Sequence, residues 1–294
     1  VSGTTPLYIA AQNGHSKVAK TLIAAGADVN QARTDNGVTP LYIAAQNGHS
    51  NVVKILIADG ADMNQARTDD GVTPFYIAAQ MEHFKVVQML IAAGADVNQA
   101  NTVDGATPLY VATQMGHSKV VKMLITAGAD VNQATTDDGT TPLYDAAQNG
   151  HFKVVKMLIA AGADVDQARM DGSTPLHAAA YQGHTELVAM LLQHGADKSI
   201  RGFNNETPLE AAQRNNHRDT IALLKKKKKK VQKKKKKTTK TKTQTKKRVR
   251  EHNTPLCDAA LHDDSEALQK LIAAGADVNQ ARTDNGATPL YIAA

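Results

Sequence analysis

The chain has 294 residues, no tryptophan and a single cysteine, Cys257. One thiol excludes an internal disulfide framework and fits a reducing setting, so an intracellular protein is expected, cytoplasmic or nuclear. Aromatic residues make up only 4% of the chain, which leaves Ala, Leu, Ile and Val to build any core. No stretch approaches the ~18 consecutive apolar residues of a membrane span, and no secretory leader is visible. Gly-rich phosphate loops, H-E-x-x-H and G-x-S-x-G are also missing, which removes the usual signatures of nucleotide, zinc-hydrolase and serine-hydrolase chemistry. The chain opens at Val1 and stops at Ala294 inside recurring sequence, and it reads as a fragment at both ends.

Proline is scarce, and what there is falls on a period. All nine prolines follow a threonine: Pro6, Pro40, Pro74, Pro108, Pro142, Pro175, Pro208, Pro255 and Pro289. Their spacings are 34, 34, 34, 34, 33, 33, 47 and 34 residues. A fixed period of this size marks a stacked-repeat architecture, in which each unit buries its apolar face only against its neighbours. The copies are close: residues 8–41 and 42–75 differ at seven of 34 places.

One unit, Thr5 to Thr39, shows what each copy encodes. Thr5 can accept a hydrogen bond from an orphan helix-start N–H, and Pro6 fits the first helical position with no donor lost. A short helix follows through "PLYIAAQN", and Gly14 supplies the left-handed residue that ends it. His15 and Ser16 start a second helix, "HSKVAKTLIAA", with Val18, Leu22 and Ile23 at helical spacing on an inner stripe and Lys17 and Lys20 outside. Gly26 closes it. The remaining "ADVNQARTDNGV" contains an Asp-Asn-Gly step suited to a tight hairpin-like turn. The small pair Ala10–Ala11 lets the two helices approach closely.

"DNGVTPLYIAAQNGHSKVAKTLIAAGADVN" resembles an ankyrin repeat, whose pattern reads D-x-x-G-x-T-P-L-H-x-A-A, then G-H, then G-A-D-V-N. The resemblance covers residues 3–224 and 253–294. It implies an all-α ankyrin-repeat solenoid of helix-turn-helix units with β-hairpin-like fingers and a period of 33–34 residues. Most units carry one residue more than the family's 33, in "QAR" before the finger turn. The family histidine after Thr-Pro-Leu is replaced by Tyr8, Tyr42, Tyr76, Tyr110, Tyr144 and Tyr291, and only His177 keeps the usual type.

The units are not equivalent. Residues 207–226 place Arg214, Asn215, Asn216, Arg218 and Asp219 where apolar outer positions would be, and resemble a C-terminal cap. Residues 253–279 carry Asp258, Asp263, Asp264 and Glu266 and resemble a first, N-terminal unit. Between them, residues 225–250 hold fifteen Lys and two Arg, a charge of +17 against +6 for the whole chain, so the remainder carries −11. Three domains are therefore expected: an array over 1–224, a basic linker over 225–250 and the start of a second array over 251–294. A single array with a 14-residue insertion is the alternative. The basic run, including Lys225, Lys230, Lys233, Lys237, Lys246, Lys247, Arg248 and Arg250, has three readings. It is a nuclear-import signal read by an import receptor, a tether to nucleic acid or acidic lipid, or a solvated linker. No aromatic residue interleaves it, so base stacking is not expected.

Several chemical readings fail on spacing. His15, His49, His83, His117, His151, His184 and His217 recur one per unit, ~8–10 Å apart if the helices pack normally, while a zinc ion needs its ligands at ~2 Å. They read as helix-start residues. Cys257 has His252 and His262 nearby but no third group to orient a nucleophile. "ADVNQARTDNG" places Ala32, Arg33 and Thr39 where a calcium loop needs ligands, glycine and glutamate. "NET" at Asn205–Thr207 matches a glycosylation triplet, but Thr207 is expected to cap a helix. Asp145 replaces the aliphatic residue found at Ile9 and Ile43, and a partly wet position is expected for it, because Asp258 occupies the same slot.

No catalytic, cofactor or metal residue is expected, and no small-molecule substrate. The resemblance implies non-catalytic recognition of other proteins on a concave face of finger tips and first helices. The candidate contacts are Arg33, Asp35, Asn36 and Val38; Arg67, Asp69, Asp70 and Val72; Asn101, Val103 and Asp104; Asp137, Asp138 and Thr140; and Arg169, Met170 and Asp171. Gln46 and Asn47 at first-helix ends join them. A basic adaptor acting through residues 225–250, or a regulatory region of a larger enzyme, are the alternatives.

Overall fold

The structure is a computed structural model that describes residues 3–226, together with Lys270 and Ala274. The chain divides into two compact units, residues 1–229 and 230–294. Cys257, the rest of the expected second array apart from Lys270 and Ala274, and Lys230, Lys233, Lys237, Lys246, Lys247, Arg248 and Arg250 lie outside the described residues.

In the first unit, seven helix pairs follow one another: α1 (Pro6–Gln12) and α2 (Ser16–Ala24), α3 (Pro40–Gln46) and α4 (Ser50–Ala58), α5 (Pro74–Gln80) and α6 (Phe84–Ala92), α7 (Pro108–Gln114) and α8 (Ser118–Thr126), α9 (Pro142–Gln148) and α10 (Phe152–Ala160), α11 (Pro175–Gln182) and α12 (Thr185–Gln193), α13 (Pro208–Arg214) and α14 (Arg218–Lys225). No strand occurs among the described residues. The helix starts follow from the Thr-Pro pairs. The hydroxyls of Thr5, Thr39, Thr73, Thr107 and Thr141 each accept from the N–H three residues on, at 3.1 Å. Thr207 does the same within a capping box closed by Glu210. Gly14, Gly48, Gly116 and Gly150 turn the chain between paired helices with φ of +72 to +75°. Glu82 and Asn216 take the same left-handed conformation without being glycine.

The core is a column of layers. Leu56, Leu90, Leu124, Leu158 and Leu191 of successive second helices are fully buried, as are Leu41, Leu109 and Leu176 of the first helices. Each such burial stabilises by roughly 1.5–3 kcal/mol relative to exposure, and all of it depends on a neighbouring layer. The first layer shows the dependence. Ile9 and Val18 are each 50% exposed, while their equivalents Ile43 and Val52 are buried. Val18, expected on the inner stripe, is therefore an outer residue, because no described helix pair packs on that side.

Three polar ladders join the layers, one partner in each repeat. The Nε2 of His49, His83, His117, His151, His184 and His217 donates to the carbonyl oxygen of Gln12, Gln46, Gln80, Gln114, Gln148 and Tyr181, at 2.8–3.1 Å. The side chains of Asn30, Asn64, Asn98 and Asn132 accept from the backbone N–H of Asp62, Asp96, Asp130 and Asp164, at 2.7–2.9 Å. Finger backbones also pair: Thr68, Thr102, Thr136 and Met170 donate N–H to the carbonyls of Asn36, Asp70, Asp104 and Asp138. The recurring "GH" and "DVN" of the sequence are thus inter-repeat links.

Asp145 departs from expectation. It is 6% exposed, and its Oδ2 has no hydrogen-bond partner. Burial pushes its carboxyl up to about 6. The slot is dry because the helices of the preceding repeat cover it, as they cover Ile43 and Ile77.

Candidate functional site

The fingers and first helices share one face, and there the tyrosines that replace the family histidine meet the finger arginines. Arg33 lies over the ring of Tyr8, Arg67 over Tyr42 and Arg169 over Tyr144, with guanidinium carbons 5.1–5.8 Å from the ring centres. In each pair the arginine follows the tyrosine by 25 residues, which carries it from the first helix to the finger. The planar guanidinium stacks on the ring while its edge remains free for a carboxylate. Arg33 binds Asp35 through Nε at 3.0 Å and a terminal nitrogen at 2.5 Å. Arg67 grips Asp69 in the same way and reaches Asp70 at 3.4 Å. Hydrogen bonds from these arginines hold Asp35 and Asp69 below the usual carboxylate range.

This geometry sorts the candidate contacts. Val38, Val72 and Thr140 are buried at 5–8% exposure and leave the set. Each closes its finger just before the cap threonine and turns its side chain inward, and Val38 and Val72 join the apolar core. Asn36, Asp70, Asp104, Asp138 and Asp171 each accept from the backbone N–H two residues on, at 2.8–3.1 Å. Their first role is to shape the turn. Asn101 caps three successive N–H groups, those of Val103, Asp104 and Gly105. Asp137 accepts from Asp138 N–H at 2.8 Å and stays exposed. Asn47 donates to the Gln12 carbonyl at 2.9 Å. Val103 and Met170 project at the tips, 70% and 71% exposed.

One of these rungs, Arg169 on Tyr144, borders a cavity. This cavity of about 330 Å³ opens between α9, α11 and α13, lined by Tyr144, Gln148, Arg169, Asp171, Ser173, His177, Ala178, Tyr181, Phe203, Glu206, Ala211 and Arg214. Its origin is legible in one slot. The position held by Ile43, Ile77 and Val111 becomes Ala178 and then Ala211, and the missing side chains leave the floor open. Arg214 stacks over Tyr181 at 5.3 Å and pairs with Glu206 at 3.4 Å. Arg169 reaches Asp138 and Asp171, and its Nε is buried without a partner. Tyr181 and Phe203 form the rim, 44% and 58% exposed.

His177 sits at the base. Its Nδ1 accepts from Thr174 N–H at 3.0 Å, and its Nε2 donates to the Glu206 carbonyl at 3.0 Å. Burial holds its imidazole below the usual value. With one nitrogen accepting and the other donating, it is a neutral structural group that ties the first helix of repeat six to the finger leading into repeat seven. Most of these wall residues were absent from the sequence-based candidates. The available signals were the drop in period from 34 to 33 at this point and the run of alanines in the isoleucine slot.

A model of the family "Ankyrin repeats (3 copies)" matches residues 7–101, 75–169 and 161–237, and a model of a single "Ankyrin repeat" matches residues 251–283. The chain belongs to the ankyrin-repeat family. Among solved structures it is similar to the ankyrin repeat domain of human ASB11, at 30% identity and a TM-score of 0.67, covering 76% of this chain and 99% of that one. It is also similar to the ankyrin repeat domain of Bcl-3, described as a unique member of the IkappaB protein family, at 28% identity, TM-score 0.67 and the same coverage. No curated protein sequence matches. Ankyrin repeats are generally non-catalytic modules of protein–protein interaction. No helix among the described residues of this ankyrin array is long and apolar enough to cross a membrane.

Proposed function

We propose that the array is a non-catalytic scaffold that binds a partner protein on the face of fingers and first helices, with the cavity between α9, α11 and α13 as its anchor point. The observation that carries this reading is the composition of that cavity. Exposed Tyr181 and Phe203 stand beside Arg214 stacked on an aromatic ring, and Tyr and Arg are among the residue types that dominate binding energy at protein interfaces. The volume suits one large side chain. Arg33, Asp35, Arg67, Asp69, Asn101, Val103, Asp104, Asp137, Arg169, Met170 and Asp171 extend the contact surface along the fingers. A charge-mixed partner surface fits their alternating signs.

Selection of binders from a displayed peptide library against the full chain tests the reading. Selected peptides should lose at least tenfold in affinity on Phe203→Ala and Tyr181→Ala. They should be indifferent to Lys122→Glu on the second-helix face, with circular dichroism unchanged throughout. Binders insensitive to both cavity variants would place recognition elsewhere.

The basic run favours a second activity. A charge of +17 over residues 225–250 supports binding to an import receptor or a polyanion, in a cytoplasmic or nuclear protein, with residues 225–250 joining the array of 1–224 to a second array over 251–294. Deleting 225–250 should abolish retention on heparin at moderate salt. Unchanged retention would remove the reading.

A further inference from the structure

The ladder of arginine on tyrosine has an interruption in its middle. At the finger position that carries Arg33, Arg67 and Arg169, the third repeat has Asn101 and the fourth has Thr135. Tyr76 remains buried, 7% exposed, beside Asn101. Tyr110 does not: Tyr8, Tyr42, Tyr76 and Tyr144 are all buried, while Tyr110 is only partly so. Threonine is too short to cover the ring as Arg169 covers Tyr144.

The same place has lost a positive charge and gained a negative one, Asp145, beside finger aspartates of a kind the other repeats also carry. Asp104, Asp137 and Asp138 lie on the two fingers beside Tyr110, and Asp145 faces it from the next first helix. Burial, then the charges of Asp145, Asp138, Asp104 and Asp137, all push the Tyr110 hydroxyl upward. Hydrogen bonds from Thr140 and Thr135 outweigh burial at Asp138 and hold it ionised. Asp138 already has Arg169. Asp145 is the independent sign. It stands in the slot whose equivalents, Ala178 and Ala211, line the neighbouring cavity, and it is packed beneath the preceding first helix, the one that carries Tyr110. It is more than nine-tenths buried, and one carboxylate oxygen has no partner. A charge so placed is weakly screened by water and acts on whatever occupies the groove.

The geometry points to an arginine-recognition subsite at Tyr110. A guanidinium from an extended segment of a partner protein lies over the Tyr110 ring, in the place Arg169 takes over Tyr144, flanked by Asp104 and Asp137 with Asp145 beneath. This rests on the reading that the finger-and-helix face binds proteins, and it names the partner's chemistry. Arginine is specified over lysine because each complete rung of the ladder uses a planar guanidinium, which stacks and presents an edge to carboxylate at once, whereas an ammonium is a compact, strongly hydrated charge. The lysines of the chain itself are for the same reason poor occupants.

The test uses the full chain with labelled tyrosine rings, of which there are seven, titrated with N-acetyl-arginine amide, its lysine analogue and its uncharged citrulline analogue. The arginine compound should shift the Tyr110 resonances saturably, the lysine compound at least fivefold more weakly, and citrulline not at all. Asp145→Ile, which restores the residue of the first three repeats, should weaken arginine binding at least fivefold. Thr135→Arg should abolish it by completing the rung from within. Should that variant fail to fold, Asp145→Ile carries the result. Equal shifts with arginine and citrulline, or an affinity unchanged by Asp145→Ile, would overturn the subsite. Library peptides that depend on Tyr181 and Phe203 but contain no required arginine would overturn it too, and would leave the docking face standing.

Discussion

The Nε2 of His83 donates to the carbonyl oxygen of Gln46 at 2.9 Å, across 37 residues of sequence and one repeat of structure. The accepting carbonyl is at the last residue of α3, where a helix leaves its final C=O groups unsatisfied. One residue therefore stands at the start of α6 while its side chain closes the helix of the layer before. His83→Ala should cost about 1 kcal/mol and reduce the cooperativity between the second and third repeats. Urea unfolding should show a lower midpoint and a shallower slope, and an unchanged curve would make the ladder ornamental.

Leu124 lies at 0% exposure in the middle of the column. Leu124→Ala should cost ~2–5 kcal/mol. Because each layer is supported only by its neighbours, weakening a central one should divide the transition into two steps, visible when circular dichroism and tyrosine fluorescence are compared. A single transition with no loss would contradict the layered core.

Asp145 sets a pH dependence. Its carboxyl rises from 3.8 to about 6 in the folded chain, chiefly through burial. A carboxyl whose folded value lies above its unfolded one opposes folding once ionised. Its contribution is most favourable below about pH 4 and is lost as pH rises through about 6, by on the order of 3 kcal/mol. Asp145→Ile should therefore stabilise the chain more at pH 7.5 than at pH 4.5 in urea melts. An equal gain at both values would show that the carboxyl does not titrate in this range.

Glu82 holds φ of +57° where five other repeats have glycine. The left-handed conformation costs a side-chain-bearing residue roughly 1 kcal/mol. Its carboxylate, half-exposed, approaches His117 Nδ1 at 3.5 Å, a weak compensation. Glu82→Gly should raise the melting temperature by several degrees. The reverse change, Gly48→Ala, should lower it, since an added Cβ would meet the His83 ring at 2.8 Å.

Much of the architecture was legible in the repeat. Thr-Pro gave the helix starts, Gly-His the turn between paired helices, and the period the need to stack. These are local instructions, written by residues whose backbone preferences hold in any context. The functional reading was less legible. Val38 and Val72 looked like finger tips and are core, because the strip of bonded fingers rotates them inward. Asn36, Asp70 and Asp104, read as candidate contacts, shape their own turns. Asp145 looked wet by analogy with Asp258, and it is dry.

By itself the sequence determined an all-α stack of ankyrin units, because a repeated local code needs no long-range information beyond identical neighbours. Only the tertiary structure decided which features of that stack are open to a partner. Tyr110 loses its arginine through a residue 25 positions away, the cavity opens where alanines 33 residues apart come together, and the carboxylate of Asp145 is stripped of water by a preceding helix. Burial, stacking and charge depend on distances between layers, and those distances exist only once the layers have packed.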